Sequence, residues 1–349
     1  MIENSKLIKV LLVDDSPTAI ALIKKMLSDS LDIKVVGTAC NGKEAIDLIP
    51  LLKPDVVCID LFMPVMDGTI LTKEIMAKYP RPILIISSHL EDSSQNIFKI
   101  LEAGALDTFA KPKGISNLEI KRLSIELVSK IRIISGVHVF KKVQNRQIDN
   151  LNKSVVTLNG KVIPRIVVIG ASTGGPQALQ AILSNLPANF PIPIVCIQHI
   201  SDGFLKDFIS WLSSQCKLKV SIAKSGELPL RGTIYFPQEG THLKFDNSGR
   251  FYISLESPFQ GHKPSITVTM NSAAAHFGKS TIGILLTGMG ADGAEGMKCI
   301  SLIGGITIAQ DEETCVVFGM PKQAIELGAA QYVMPLSDIS SNIMKLVNL

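Results

Sequence analysis

No stretch of this 349-residue chain offers about 18 consecutive uncharged apolar residues, the minimum for a membrane-crossing helix, although its mean hydropathy of +0.31 is high. The richest apolar runs, such as "PILIIS" and "IGILLT", have only the length of a β-strand. The amino-terminal "MIENSKLIKV" carries an acid and an amide where a secretory signal would have basic residues ahead of a long apolar core. A cytoplasmic location without membrane insertion is therefore expected. A Cys-x-x-Cys pair is also lacking. The six cysteines, Cys40, Cys58, Cys196, Cys216, Cys299 and Cys315, show no zinc-type spacing with the histidines, which points to buried thiols in a reducing compartment. Neither half has a surplus of charge. Lys and Arg against Asp and Glu number 17 and 17 over residues 1–134 and 13 and 13 over 165–349; only 135–164, with 5 against 1, is basic. A nucleic-acid-binding domain would carry an excess, so no nucleic acid partner is expected.

Hydrophobic residues make up 46% of the chain and charged residues 19%, a globular composition, and the length suits two domains with separate cores. Residues 6–134 alternate short apolar runs ("KVLLV", "IKVVGTA", "PDVVCID", "PILIIS", "LDTFAKP") with amphipathic stretches. Five strands and five helices in alternation predict a parallel sheet covered on both faces. Residues 135–164 are rich in Asn, Gln and Lys without sustained period and read as a linker. From Arg165 the alternation resumes, which predicts a second, doubly wound α/β domain over 165–349. Its sheet should be mostly parallel, with a hairpin-rich insert that includes several short strands between Lys219 and Ser254.

In the first domain Asp14 and Asp15 close the first strand and Asp60 the third, in "CIDLFMPVMDG". Neighbouring strand ends bring three carboxylates to one spot, a costly cluster unless a hard cation neutralises it, and oxygen ligands suit Mg²⁺. Ser87 ends the fourth strand and Lys111 follows the fifth, adding a hydroxyl and an ammonium to the same rim. That set can accept a phosphoryl group on Asp60. A helix cap accounts for one acid, such as Asp15 before "SPTAI", but not for three with a matching Ser and Lys.

In the second domain "IVVIGASTGGPQAL" places Ser172 between a strand and a helix in a G-x-S-x-G pattern, the context of a nucleophile elbow. Gly-rich turns of this kind also bind phosphate, yet neither G-x-G-x-x-G nor a Walker lysine is present. A nucleophilic serine needs a base. Of the six histidines, His89 lies in the first domain, His138 in the linker, His276 inside the helical "SAAAHFG", and His242 and His262 in the insert, where they are weaker candidates. His199 ends the strand "PIVCIQHI", 27 residues after Ser172, on the same predicted rim. Asp292, in "LLTGMGADGAEG", follows another buried strand; it could cap the helix after it, or orient the imidazole as the third member of a triad.

Residues 6–134 resemble the receiver domain of bacterial response regulators, a flavodoxin-like five-stranded fold. The segments "IGASTGGPQAL", "QHI", "LLTGMGADGAEGM" and "AQDEETCVVFGMPKQAIELGAA" make residues 165–349 similar to the catalytic domain of the CheB family of chemotaxis methylesterases. The resemblance implies Asp60 as phospho-acceptor, Asp14 and Asp15 as further Mg²⁺ ligands, and Ser87 and Lys111 as readers of the phosphate. It further implies Ser172 as nucleophile, His199 as general base and acid, and Asp292 as orienting carboxylate. Thr173 lies beside the nucleophile, and the amide of Met289 serves the oxyanion. The expected reaction is phosphorylation-gated hydrolysis of glutamate methyl esters on chemoreceptors, with deamidation of receptor glutamines, and no cofactor in the second domain. A chemotaxis histidine kinase would supply the phosphoryl group. Where the family has two prolines, an arginine and an aspartate, this chain has Ser201, Asp202, Trp211 and Thr267, departures expected to bear on receptor grip and cleft packing.

Overall fold

The run "IKVLLV" buries its last four side chains in succession rather than alternately, as a strand covered on both faces must. It forms β1 (Ile8–Val13) in a computed structural model that describes residues 7–87, 94–112, 116–137, 139 and 163–349. The chain divides into two units, Met1–Ile148 and Asp149–Leu349. The first continues with α1 (Pro17–Leu27), β2 (Ile33–Ala39), α2 (Gly42–Leu52), β3 (Val56–Ile59), α3 (Gly68–Lys78), β4 (Ile83–Ser87), α4 (Ser94–Ala103), β5 (Asp107–Ala110) and α5 (Asn117–Ser135). All pairs are parallel, in the order β2-β1-β3-β4-β5, so β1, β3 and β5 end on one rim. Helix α1 is capped by Ser16, whose Oγ accepts from the Ala19 N–H, and not by Asp15. His89, His138 and residues 140–162 of the expected linker lie outside the described residues.

The second unit contains β6 (Ile166–Ala171), α6 (Gly175–Leu183), β7 (Ile194–Gln198), α7 (Leu205–Gln215), β8 (Lys219–Ile222), β9 (Thr233–Phe236), β10 (His242–Phe245) and β11 (Phe251–Ser254). It ends with α8 (Ile266–Phe277), β12 (Thr281–Leu285), α9 (Ala294–Leu302), β13 (Ile306–Gln310), α10 (Met320–Glu326), β14 (Tyr332–Met334) and α11 (Leu336–Leu346). Seven of these strands form one parallel sheet in the order β14-β13-β12-β6-β7-β9-β8. Of the four short strands between Lys219 and Ser254, only β10 and β11 pair as an antiparallel hairpin; β8 and β9 extend the main sheet. Strands β6, β7 and β12 are buried along their whole length. The chain runs from β6 outward to β7 and later returns to lay β12 on the other side of β6. The carboxyl end of β6 is therefore a topological switch point, where loops diverge and leave a crevice.

Candidate active site

Ser172 is the first residue beyond β6, and its backbone is pinned from three sides. Its N–H donates to the Thr287 carbonyl at 3.0 Å, while its own carbonyl accepts from Gly175 N–H and from Gln198 Nε2, both at 2.8 Å. The turn passes through Gly174 at φ +76°, where an added Cβ would lie 2.6 Å from Val316, so glycine is required there. On the neighbouring strand the register pairs Ala171 with Gln198, and His199 N–H prolongs the ladder by donating to the Ala171 carbonyl at 3.0 Å. The same Gln198 amide also donates to the His199 carbonyl at 2.7 Å, tying the two turns together. Ser172 and His199 are thus the next residues on adjacent parallel strands, whose backbones run about 4.8 Å apart.

Asp292 reaches this point from the other flank, in the loop after β12. Its Oδ2 lies 2.9 Å from His199 Nε2 and accepts from Ile266 N–H at 2.8 Å; its Oδ1 accepts from Ser265 Oγ at 2.8 Å and Thr267 N–H at 3.0 Å. The side chain does not cap the helix that follows it, α9, whose N-cap is Gly293 without a side-chain bond. It sits on the first turn of α8, where unpaired amides and the helix dipole favour an anion. Burial at 1% exposure pushes the carboxyl up, but the His199 hydrogen bond and charge, with the Thr267 and Ile266 amides, prevail and hold it well below the usual carboxylate range. An ionised acceptor fixes the proton of the neutral His199 ring on Nε2. Its buried Nδ1 has no partner among the described residues and carries the free lone pair. No hydrogen bond joins the Ser172 hydroxyl to that nitrogen here; such contacts are often long in ligand-free enzymes.

Thr173 is buried and its carbonyl accepts from Thr287 Oγ1 at 2.9 Å, bracing the turn. Met289 is 47% exposed and its N–H makes no hydrogen bond among the described residues. The Gly288 carbonyl just before it accepts from Gly319 and Met320 N–H, which fixes the loop. His242 is structural: buried at the start of β10, it accepts from Ser265 N–H at Nδ1 and donates to the Ser257 carbonyl from Nε2. His276 lies in α8 against the Phe277 ring. His262 stacks on His199 with ring centroids 4.3 Å apart and planes within 3°. Neither this stack nor the Ser265–Thr267 cradle carries a sequence signal, because each is a contact across the fold.

The departures from the family pattern resolve differently. Trp211 is buried at 5% exposure and packs on Phe208 within α7, so it belongs to the core and not to a docking surface. Thr267 is buried; its Oγ1 accepts from Gly293 N–H at 2.7 Å and joins α8 to the loop that carries Asp292. Ser201 is half-buried and Asp202 exposed, just beyond His199.

In the first unit Asp14, Asp15 and Asp60 bring carboxylate oxygens within 4.8 Å of one another, Asp14 and Asp60 buried and Asp15 exposed. Lys111 Nζ bridges Asp14 at 2.7 Å and Asp60 at 2.9 Å. Ser87 is buried, and its carbonyl accepts from Lys111 N–H at 2.8 Å. Burial raises the Asp60 carboxyl, Lys111 lowers it and Asp14 raises it, with a net rise. Burial lowers the Lys111 ammonium, but bonds to Asp14 and Asp60 more than offset this and leave it raised.

Residues 167–343 match the family model "CheB methylesterase" and residues 10–121 match "Response regulator receiver domain". A protein-glutamate methylesterase/protein-glutamine glutaminase of Nitrosospira multiformis is 39% identical over 98% of this chain and 97% of its own length. One of Carboxydothermus hydrogenoformans is 44% identical over 96% of this chain and 98% of its own. The crystal structure of the Thermotoga maritima CheB methylesterase catalytic domain, 42% identical, superposes with a TM-score of 0.51 over 54% of this chain and 99% of that domain. The second sheet, with its serine turn at the switch point, and the acid cluster of the first therefore have one origin: the chain belongs to the CheB methylesterase family, with a response-regulator receiver domain at its amino-terminal end.

Proposed function

We propose that this chain hydrolyses γ-glutamyl methyl esters on chemoreceptors, releasing methanol, and deamidates receptor glutamines, under control of phosphorylation at Asp60. We take residues 1–134 as the receiver, 135–164 as the linker and 165–349 as the catalytic domain. The observation that carries the reading is the imidazole of His199, a residue whose N–H donates to the Ala171 carbonyl just before the serine turn: it is held by ionised Asp292 through Nε2 and left with a buried Nδ1 that has no partner among the described residues. In this reading Nδ1 takes the Ser172 proton as the hydroxyl oxygen attacks the ester carbonyl. Asp292 stabilises the imidazolium, and the Met289 N–H, with the turn beside Thr173, receives the oxyanion. Nδ1–H then protonates the departing methoxide oxygen, or the amide nitrogen as it leaves as ammonia. Water repeats the sequence on the acyl-enzyme and restores Ser172 and a free carboxylate.

Among the described residues the receiver cluster brings three carboxylates within 4.8 Å of one another, an oxygen donor set that fits Mg²⁺ held by Asp14, Asp15 and Asp60. When bound, that ion supplies charge neutralisation around the phosphoryl oxygens. Lys111, already paired with Asp14 and Asp60, holds an ammonium at the same place, and Ser87 stands at the end of the adjacent strand. A chemotaxis histidine kinase is the phosphoryl source in this reading. The test measures methanol release from methylated receptor membranes. Ser172→Ala is expected to lower the rate by at least about 10⁴-fold. Release that persists in this variant would refute the mechanism, and normal signalling without Ser172 would mark the domain as a scaffold.

A further inference from the structure

The loop from Phe259 to Ser265 serves Asp292 at one end, where Ser265 Oγ donates to it, and carries His262 three residues earlier. His262 is held in place by its backbone: its N–H donates to the Phe259 carbonyl at 2.9 Å and its carbonyl accepts from Phe259 N–H at 3.0 Å. Its ring is half-buried and lies flat on His199, with 4.3 Å between centroids. His199, His262 and Asp292 bring ligand-type atoms within 4.8 Å, a grouping that invites a metal. The stacking argues otherwise. An imidazole lone pair lies in the plane of its ring, and two parallel rings in face-to-face contact share no plane in which one ion could sit.

A single hydrogen bond to Asp292 does not by itself hold the His199 ring against turning about its Cβ–Cγ bond, and that turn would carry Nε2 off Asp292 and displace Nδ1 with it. A flat neighbour blocks it. We infer that His262 is a positioning residue, whose ring clamps the plane of the His199 imidazole so that Nε2 stays on Asp292 and Nδ1 is kept available to Ser172. Burial, followed by the nearby His199 charge, keeps the His262 imidazole below its ordinary range, with Asp292 opposing. A neutral clamp does not compete with His199 for the positive charge that forms in the reaction.

The inference rests on the esterase reading for its kinetic consequence but not for its structural one, so two readouts separate them. In full-length protein labelled with ¹⁵N-histidine, with the His199 signals assigned by their loss in His199→Gln, wild type is expected to show a single Nε2–H tautomer. His262→Phe, which keeps a flat ring, should preserve that pattern, and His262→Ala should average it between tautomers. In methanol release, His262→Ala should lower kcat by about 10–100-fold with little change in KM, as for a catalytic group displaced by about 1 Å, while His262→Phe stays within about threefold of wild type. A locked Nε2–H tautomer in His262→Ala, or a Phe variant as depressed as Ala while melting like wild type, would overturn the clamp. Absence of methanol release from wild type would overturn the esterase reading alone, leaving the tautomer measurement to decide the clamp.

Discussion

Asp292 is the residue on which the catalytic geometry converges: two backbone amides, one hydroxyl and one imidazole all donate to a single buried carboxylate. An amide in its place keeps the shape but can offer an N–H where His199 requires an acceptor, which inverts the imidazole tautomer. Asp292→Asn is expected to lower kcat for methanol release on the order of 10⁴-fold, with KM little altered. Its depressed pKa also makes the folded state favour the ionised form. The resulting stabilisation is full above the unfolded carboxyl value of about 3.9 and is lost as pH falls through the lower folded value. The melting temperature of wild type should therefore exceed that of Asp292→Asn most clearly near pH 7 and converge on it in strong acid. Asp60 shows the opposite sign. Its raised pKa means that the folded state holds the proton more tightly, so stability falls as pH rises from the unfolded value towards the folded one. Asparagine mimics the protonated form, and Asp60→Asn is expected to raise the melting temperature of the receiver at pH 7. A lower one would show that the pairing with Lys111 outweighs burial.

Among the elements, the strands of both sheets are legible because each central strand is buried on two faces and reads as an unbroken apolar run. Partner choice is not legible in the same way. "KVSI" and "TIYF" are four-residue strands whose composition fits a hairpin as well as a sheet edge, and only the fold places them on the main sheet. Ser172, His199 and Asp292 could be found in the sequence because each follows a strand. The contacts of Ser265, Thr267 and His262 with that site could not, because these residues come from the loop after β11 and the first turn of α8 and meet it only across the fold. The first turn of α8 is the element-scale consequence: Thr267 Oγ1 accepts from the buried Gly293 N–H, so Thr267→Val should cost about 1–3 kcal/mol in chemical denaturation. Gly288 is a second such point. A Cβ added there would lie 2.7 Å from both Met320 Sδ and Ser172 Cβ. Gly288→Ala should cost about 1–3 kcal/mol by overpacking and should reduce kcat out of proportion to that loss, since one of the displaced atoms belongs to Ser172, the proposed nucleophile. A variant with wild-type kcat would show that Met320 alone gives way.

At the scale of the whole chain, two sites of different chemistry occur on two parallel sheets, each at the carboxyl ends of its strands. In the proposed reading the receiver site stores charge: phosphorylation at Asp60 would add roughly −1.5 to −2 at a place where Lys111 now balances two carboxylates. In the proposed mechanism the esterase site does not need that charge for its own steps, because its base, its acid and its oxyanion donor all come from the second unit. Control by the first unit must therefore alter access to, or arrangement of, a complete catalytic apparatus and cannot supply a missing part. That distinction is measurable. A small phosphodonor such as acetyl phosphate, with Mg²⁺, is expected to raise methanol release by wild type. Asp60→Asn should keep the unstimulated rate and lose the rise, and Ser172→Ala should release none under either condition. Were Asp60→Asn to abolish the unstimulated rate as well while remaining folded, the receiver would be contributing to the chemistry itself, and the separation of roles between the two sheets would fail.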